Sequence, residues 1–563
     1  MNSESEIKLR RRSFLAWCSS VGVGSTLFPN LLWAQSKNGL KSITNEMIDS
    51  AARLAGLSFS QIDREEMVLG INANLASYKA LRKIRIDQNT PPPIYFNPAV
   101  PGQKFSKKRK PFIQSKRMSV SRPSNLEEIA FWPITDLSQL IESRQVSSEE
   151  LTQMYLKRIK QHDSKLNSVI TLTEKLAIKQ ARKMDREIKA GNYRSSLHGI
   201  PWGAKDVIAK SGYRTTWGAK AYRNQVIDYD ATLVSRLEEA GAVLIAKLST
   251  GEIARGDRWF DKQTRNPWKI NEGSGGSSAG PGSATAAGLV GFSIGSDTTG
   301  SILGPSRTCG ISGLRPTFGR ISRHGVMPVC WSLDKVGPMC RSVEDCAIVF
   351  QSIHGPDNQD LSLVDMPFNW NGNKNLKELR IGYIEEAFNE NTHPNDMETL
   401  ECLRGMGVEL QPIRLPKHAG MDALQMLLVD EAAAFDELIQ TGKVDLFLQD
   451  RIEPEDMLMR IARLMPAVEY LQIQRLRMLM MQGMERALRN IDVYIAPHEG
   501  NTNTTTTALT GHPGISVPNG FDKNGKPTGI LFVGKLYDEA NLMIAAKTYQ
   551  DANNFHLVYP GLD

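Results

Sequence analysis

At 563 residues the chain is long enough for more than one domain and a large core. Its 41% hydrophobic and 23% charged residues are those of an ordinary soluble protein. The net charge of +7 is local: residues 1–34 carry four basic and two acidic side chains, and residues 104–122 carry eight basic and no acidic ones. The remaining body is therefore slightly acidic. It does not read as a nucleic-acid-binding surface, and no interleaved aromatics suggest a stacking platform.

Residues 1–34 read as a targeting segment. Arg10-Arg11-Arg12-Ser13-Phe14-Leu15 resembles a twin-arginine export motif, and a weakly apolar run follows to Ala34. Pro29 interrupts that run, so no stable membrane span is expected after cleavage. Export implies a periplasmic or envelope location. Removing Cys18 leaves five cysteines, Cys309, Cys330, Cys340, Cys346 and Cys402, an odd number with at least one free thiol. None has zinc-ligand spacing with nearby histidines, and no metal site is visible.

Residues 35–90 are expected to form a helical N-terminal extension. One helix runs from Ile43 to a stop at Gly56, and a second from Gln61 to about Ile84. Pro91-Pro92-Pro93, Pro101-Gly102 and the basic run mark residues 91–128 as a solvated linker, with docking on an anionic lipid surface as the alternative. Residues 129–560 read as the catalytic domain. Ser147 and Glu150 form a capping box ahead of Leu151, Met154, Tyr155 and Ile159 on one helical face. A helix at 174–191, a strand-loop at 199–207, a helix at 231–240 and a buried strand at 241–247 alternate, which argues for α/β layering. Residues 376–490 read as a helix-rich, Met-rich insert. Strands at 491–496 and 529–534 and a helix at 538–550 close the chain.

The stretch Gly273–Gly304 carries the chemistry. Ten of its residues are Gly and ten are Ser or Thr, a linker-like composition. Yet Ala284, Ala286, Ala287, Leu289, Val290, Phe292 and Ile294 lie between its two polar clusters. The pattern reads as a Gly-rich loop, a small-residue helix, a buried strand and a second Gly/Ser turn. Free backbone N–H groups in two such loops suit an oxyanion.

These residues resemble the amidase signature family of serine hydrolases. The Gly275-Gly276-Ser277-Ser278 run precedes Gly295-Ser296-Asp297-Thr298-Thr299-Gly300-Ser301 with the family's spacing between Ser277 and Ser301. Upstream stands Gly199-Ile200-Pro201-Trp202-Gly203-Ala204-Lys205-Asp206. The resemblance continues through Asn266-Pro267-Trp268, Gly313-Leu314-Arg315-Pro316-Thr317 and Gly511-His512-Pro513. It implies an α/β amidase-signature fold, a mixed central sheet covered by helices on both faces. It also implies a Ser-cisSer-Lys triad: Ser301 as nucleophile, Ser277 on a cis peptide bond as proton relay and Lys205 as base. The backbone N–H groups of Thr298, Thr299, Gly300 and Ser301 would form the oxyanion hole, with Ser278 and Asp297 fixing the loops.

Lys205 must be neutral to accept a proton. At an ordinary lysine pKa only about 0.04% would be neutral at pH 7, so burial is expected to lower it and Asp206 to point away. The sequence departs from the commonest family pattern at Ala279, Thr299 and Leu303-Gly304. The last lacks an Arg that usually pairs with the Asp, leaving Arg307 or the backbone as the partner of Asp297. His324 and His512 lack a nucleophile-elbow context and are expected to stabilise loops.

The resemblance implies hydrolysis of a small-molecule carboxylic amide through an acyl-serine, without cofactor or metal, releasing ammonia or an amine. Two other readings stand beside it. One is the glutaminase-type A subunit of a tRNA-dependent amidotransferase, favoured by the helical extension and opposed by the export motif. The other is a non-catalytic amidase-fold binding protein, opposed by the intact Lys205, Ser277 and Ser301. The substrate amide and the oligomeric state, a homo-oligomer included, are not legible in the sequence.

Overall fold

The computed structural model describes residues 43–81, 94–416, 423–448, 455–500 and 502–562. The targeting segment, Cys18 and the triple proline lie outside them. The chain divides into two compact units, residues 1–87 and 88–563. In the first, α1 (Asn45–Leu54) packs on α2 (Gln61–Leu81). Thr44 caps α1 by accepting from the Met47 N–H, Gly56 ends it with φ +69°, and Asp49 accepts from Arg64 at 3.1 Å.

The second unit is built on an eleven-stranded mixed sheet. Chain order begins with α3 (Ile134–Glu142), α4 (Ser148–Leu166), β1 (Val169–Leu172), α5 (Glu174–Lys189), β2 (Pro201–Lys205), α6 (Thr232–Glu239) and β3 (Val243–Leu248). Then come α7 (Ala279–Ala286), β4 (Phe292–Asp297), α8 (Leu303–Cys309), β5 (Ser312–Arg315), β6 (Lys335–Cys340) and α9 (Val343–Ile353). β7 (Ile381–Ile384), α10 (Pro394–Gly405), β8 (Leu410–Ile413), α11 (Ala423–Ala434), α12 (Asp436–Thr441), α13 (Glu455–Ala462) and α14 (Ala467–Ala487) follow. The chain closes with β9 (Val493–Pro497), α15 (Asn503–Thr510), β10 (Gly514–Phe521), β11 (Pro527–Gly534) and α16 (Glu539–Asn553). The spatial order of strands is β1-β3-β2-β4-β6-β5-β10-β11-β9-β7-β8, with helices on both faces. β2, β3 and β6 are buried at every residue, as expected of strands covered on both sides.

Local signals explain several elements. The capping box of α4 is complete: Ser147 Oγ accepts from the Glu150 N–H and Glu150 accepts from the Ser147 N–H. α7 is made of small residues because it is wholly buried; a Cβ on Gly280 would stand 2.4 Å from Ser249 N. No described helix is long and apolar enough to cross a membrane.

One expectation is corrected. Residues 94–124 are not a free linker but a strap laid on the body, with most of its basic side chains still facing solvent. Phe96 meets Phe318 edge-on at 5.1 Å, and Phe112 stacks on Trp370 at 6.4 Å. Ile113 exchanges backbone hydrogen bonds with Trp370 and Gly372. Several basic residues there are paired within the protein, Arg109 with Asp365, Arg117 with Glu344 and Arg122 with Glu150. The helix-rich stretch 376–490 also contributes β7 and β8, which extend the main sheet in parallel register beside β9.

Candidate active site

β2 and β4 are parallel neighbours, so their carboxyl ends lie at the same edge of the sheet. Lys205 is the last residue of β2, and Asp297 the last of β4. The loop before α7 brings Ser277 and Ser278 to the same edge, and the turn between β4 and α8 brings Ser301. Three segments distant in sequence thus converge at carboxyl strand ends, the usual place for a site in a layered α/β fold.

Lys205 is wholly inaccessible to solvent. Its Nζ donates to Ser277 Oγ at 2.7 Å and to Ser296 Oγ at 2.9 Å. Burial pushes the ammonium pKa down to about 7, against the opposing pull of Asp297 and Asp334. Asp206 points away: its carboxylate accepts from Lys247 Nζ at 2.7 Å and from Thr216 N and Oγ1 at 2.8 and 2.6 Å.

The Gly276–Ser277 peptide bond is cis. Gly276 cannot carry a side chain here, since a Cβ would lie 1.9 Å from the Gly256 carbonyl oxygen. The Ser277 carbonyl accepts from the Gly251 N–H at 3.3 Å. Ser278 joins the loops: its N–H donates to the Ser301 carbonyl at 3.1 Å and its hydroxyl to the Ser296 carbonyl at 3.0 Å. The Ser277 and Ser301 hydroxyls are not hydrogen-bonded to each other, and Ser301 is half-buried.

Asp297 organises the turn before Ser301. One carboxylate oxygen accepts from the Gly300 N–H at 2.8 Å and the other from the Ile302 N–H at 2.8 Å. This corrects the expectation for Gly300, whose N–H is occupied by Asp297 rather than left for an oxyanion. The N–H groups of Thr299 and Ser301 have no acceptor among the described residues. The Thr298 hydroxyl donates to Asp334 Oδ1 at 2.7 Å. The cation beside Asp297 is Arg315, at 3.5 Å and fully buried with it, whereas Arg307 pairs with Glu499.

Sequence reasoning missed Ser296, although it lies within the Gly-Ser-Asp run, and missed Asp334 and Lys335, which belong to no quoted motif. Arg315 lay inside the Gly313–Thr317 motif without being given a role. A cleft adjoins the site, with Ser296, Thr298, Val326, Met327, Trp331 and Lys335 among its walls. The helical layer is tied to these walls. Asp430 of α11 accepts from Cys330 Sγ at 2.8 Å and from Tyr470 OH of α14 at 2.9 Å. Arg255 pairs with Glu431 at 2.5 Å.

His324 stacks on Tyr229, and His512 Nδ1 lies 2.8 Å from Thr510 Oγ1, with its pKa pushed down to about 3 by burial. Neither is hydrogen-bonded to Ser277 or Ser301. Among the described residues no disulfide forms, and no group of His, Cys, Asp and Glu is arranged to hold a metal ion.

Fold and site define a hydrolase of the amidase class. The sequence pattern of the Amidase family matches residues 150–510, and the chain belongs to that family. It is 33% identical over 476 residues to the A subunit of the glutamyl-tRNA(Gln) amidotransferase of Acinetobacter baumannii, covering 75% of this chain and 96% of the relative. The corresponding protein of Bacillus licheniformis is 34% identical over 480 residues, covering 76% and 99%. Among solved structures, the native peptide amidase of Stenotrophomonas maltophilia superposes with a TM-score of 0.70 at 30% identity, covering 78% of this chain and 100% of that one.

Proposed function

We propose that the protein hydrolyses a carboxylic amide through an acyl-enzyme on Ser301. The observation that carries this reading is the buried Lys205 Nζ at 2.7 Å from Ser277 Oγ, with a pKa near 7. Burial lowers its pKa to about 7, so neutral amine is available near pH 7 to act as a base.

Ser301 Oγ attacks the amide carbonyl carbon. Its proton passes to Ser277 Oγ, and the Ser277 proton passes to Lys205 Nζ. The N–H groups of Thr299 and Ser301 receive the oxyanion; one lost donor of this kind typically costs about 10²–10³ in rate. On collapse the C–N bond breaks, and the proton returns from Lys205 through Ser277 to the leaving nitrogen. Water then attacks the acyl ester, giving its proton to the same relay, and the acid leaves as Ser301 is restored. Asp297 shapes the nucleophile turn and Ser278 fastens it to the Ser277 loop.

The test is labelling with a fluorophosphonate probe, with the modified peptide identified by mass spectrometry. Wild type should be labelled at Ser301, Ser301→Ala should not, and Lys205→Ala should react about 10²–10⁴ times more slowly. Unlabelled, folded wild type between pH 7 and 9 would sink the reading.

The identity to the amidotransferase relatives supports a second reading, release of ammonia from glutamine for use by a partner protein. Ammonia release from free glutamine, absent with simple aryl amides, would favour it. The Arg11-Arg12-Ser13-Phe14-Leu15 segment supports export. Cell fractionation of an Arg11→Lys, Arg12→Lys double variant should then find the protein retained in the cytoplasm, and unchanged distribution would refute export by this route.

A further inference from the structure

Four lysines are buried among the described residues, Lys205, Lys210, Lys247 and Lys335. Three are well partnered. Lys205 meets two hydroxyls, Lys210 meets Asp230 at 2.6 Å, and Lys247 meets Asp206 at 2.7 Å with Thr215 at 3.0 Å. Lys335, 2% exposed, makes a single hydrogen bond among the described residues, to the Ala508 carbonyl at 3.4 Å. An ammonium has three donors to place, and a buried one without an anion is costly.

No carboxylate of the site is left over for it. Lys335 stands opposite Asp297 in the β6–β4 register, but both Asp297 oxygens are held by the Gly300 and Ile302 N–H groups and by Arg315. Asp334 is held by Thr298 Oγ1 and by the Val329 and Cys330 N–H groups at 2.7 and 2.8 Å. The other charges acting on Lys335 are the cations Arg315 and Arg477. Arg315 Nε is itself buried without an acceptor. Lys335 lines the cleft beside the Ser301 turn with the apolar Val326, Met327 and Trp331; the other charges of its walls are already matched, Asp334 as above and Arg323 with Asp360 at 2.9 Å.

We infer that Lys335 forms a carboxylate-binding subsite in this cleft, and that the substrate is an amide carrying a carboxylate on an otherwise apolar frame. The inference rests on the amidase reading above. A substrate carboxylate supplies the anion the protein withholds, and Val326, Met327 and Trp331 take up the hydrocarbon. Specificity follows from omission: a neutral substrate leaves the lysine unmatched, whereas a matched one completes it.

Burial, aided by Arg315, pushes Lys335 down to about 7, with Asp297 and Asp334 opposing. The preference for anionic substrates, read as a ratio of kcat/KM, should therefore fall as pH rises from 7 to 9. Lys205 also titrates in this range, but it acts on both substrates and cancels in the ratio.

The experiment compares succinyl, glutaryl and adipyl p-nitroanilides with butyryl, valeryl and hexanoyl p-nitroanilides, and butyryl 4-aminobenzoate with butyryl anilide. The first set places the carboxylate on the acyl side, the second on the amine side. At least one anionic member should exceed its neutral partner tenfold or more at pH 7. The ratio should collapse towards one in Lys335→Met and survive in part in Lys335→Arg. Fluorophosphonate labelling of Ser301 in each variant shows that the site has folded. An absent preference in wild type, or one unchanged in Lys335→Met, overturns the inference. Without any labelling or turnover the amidase reading fails by itself. The subsite is then judged by thermal stabilisation with succinate, glutarate and adipate against their diamides. Stabilisation by the acids that is lost in Lys335→Met supports it, and equal effects of acids and diamides overturn it.

Discussion

A lysine at the end of a buried strand has two fates, and neighbours decide between them. Lys247, facing the Asp206 carboxylate, is an ion-pair member in the core; Lys205, facing two serine hydroxyls, keeps a pKa near 7. Only the neutral amine accepts a proton, so acylation of Ser301 should rise as pH climbs through about 7 and level off above 8. Stopped-flow labelling from pH 5.5 to 9 would read this limb, and a flat profile would remove Lys205 as the base. The meeting of Lys205 with Ser277 is legible in the sequence because two motifs carry it. The pairing of Asp297 with Arg315 is not, because these two strand-end residues meet only when β4 and β5 are brought to either side of β6. The sequence points instead to the nearer Arg307 or to the backbone, yet the helix carries Arg307 to Glu499.

At the scale of elements, signals that act within a few residues are readable. The Ser147–Glu150 capping box, the strands around Lys205 and Val243–Leu248, and α16 all follow from local pattern. β7 and β8 do not. Each has only four residues, and their parallel partners lie tens of residues away, so pairing rather than propensity makes them strands. The strap fails for a related reason: its prolines and lysines suggest solvated chain, while Phe96, Phe105 and Phe112 find their partners only in the folded body. The loop before α7 gives a sharp test. Gly276→Ala places a methyl group against the Gly256 carbonyl, a backbone atom that cannot swing aside. Labelling of Ser301 should fall at least a hundredfold in this variant while far-ultraviolet circular dichroism stays native; wild-type labelling would show that the loop has slack.

For the whole molecule, the described cysteines are all reduced, and four of the five are buried. Native protein treated with iodoacetamide should be alkylated at Cys402 and spared at Cys309, Cys330, Cys340 and Cys346 until urea unfolds it. Peptide mapping would show this, and early alkylation of Cys309 would contradict the packing around α8. Burial also raises the Cys309 pKa, which slows its reaction further. The sheet order has a consequence for synthesis. β5, two strands from β4, pairs on its far side with β10, which leaves the ribosome roughly 200 residues later. At translation rates of about 5–20 residues per second, that edge stands open for on the order of 10–40 s. During that interval the emerging chain holds Lys205, Ser277 and Ser301 on an incomplete sheet. A transcript cut short before β10 would yield a chain that carries Lys205, Ser277 and Ser301 yet presents a bare strand to its neighbours.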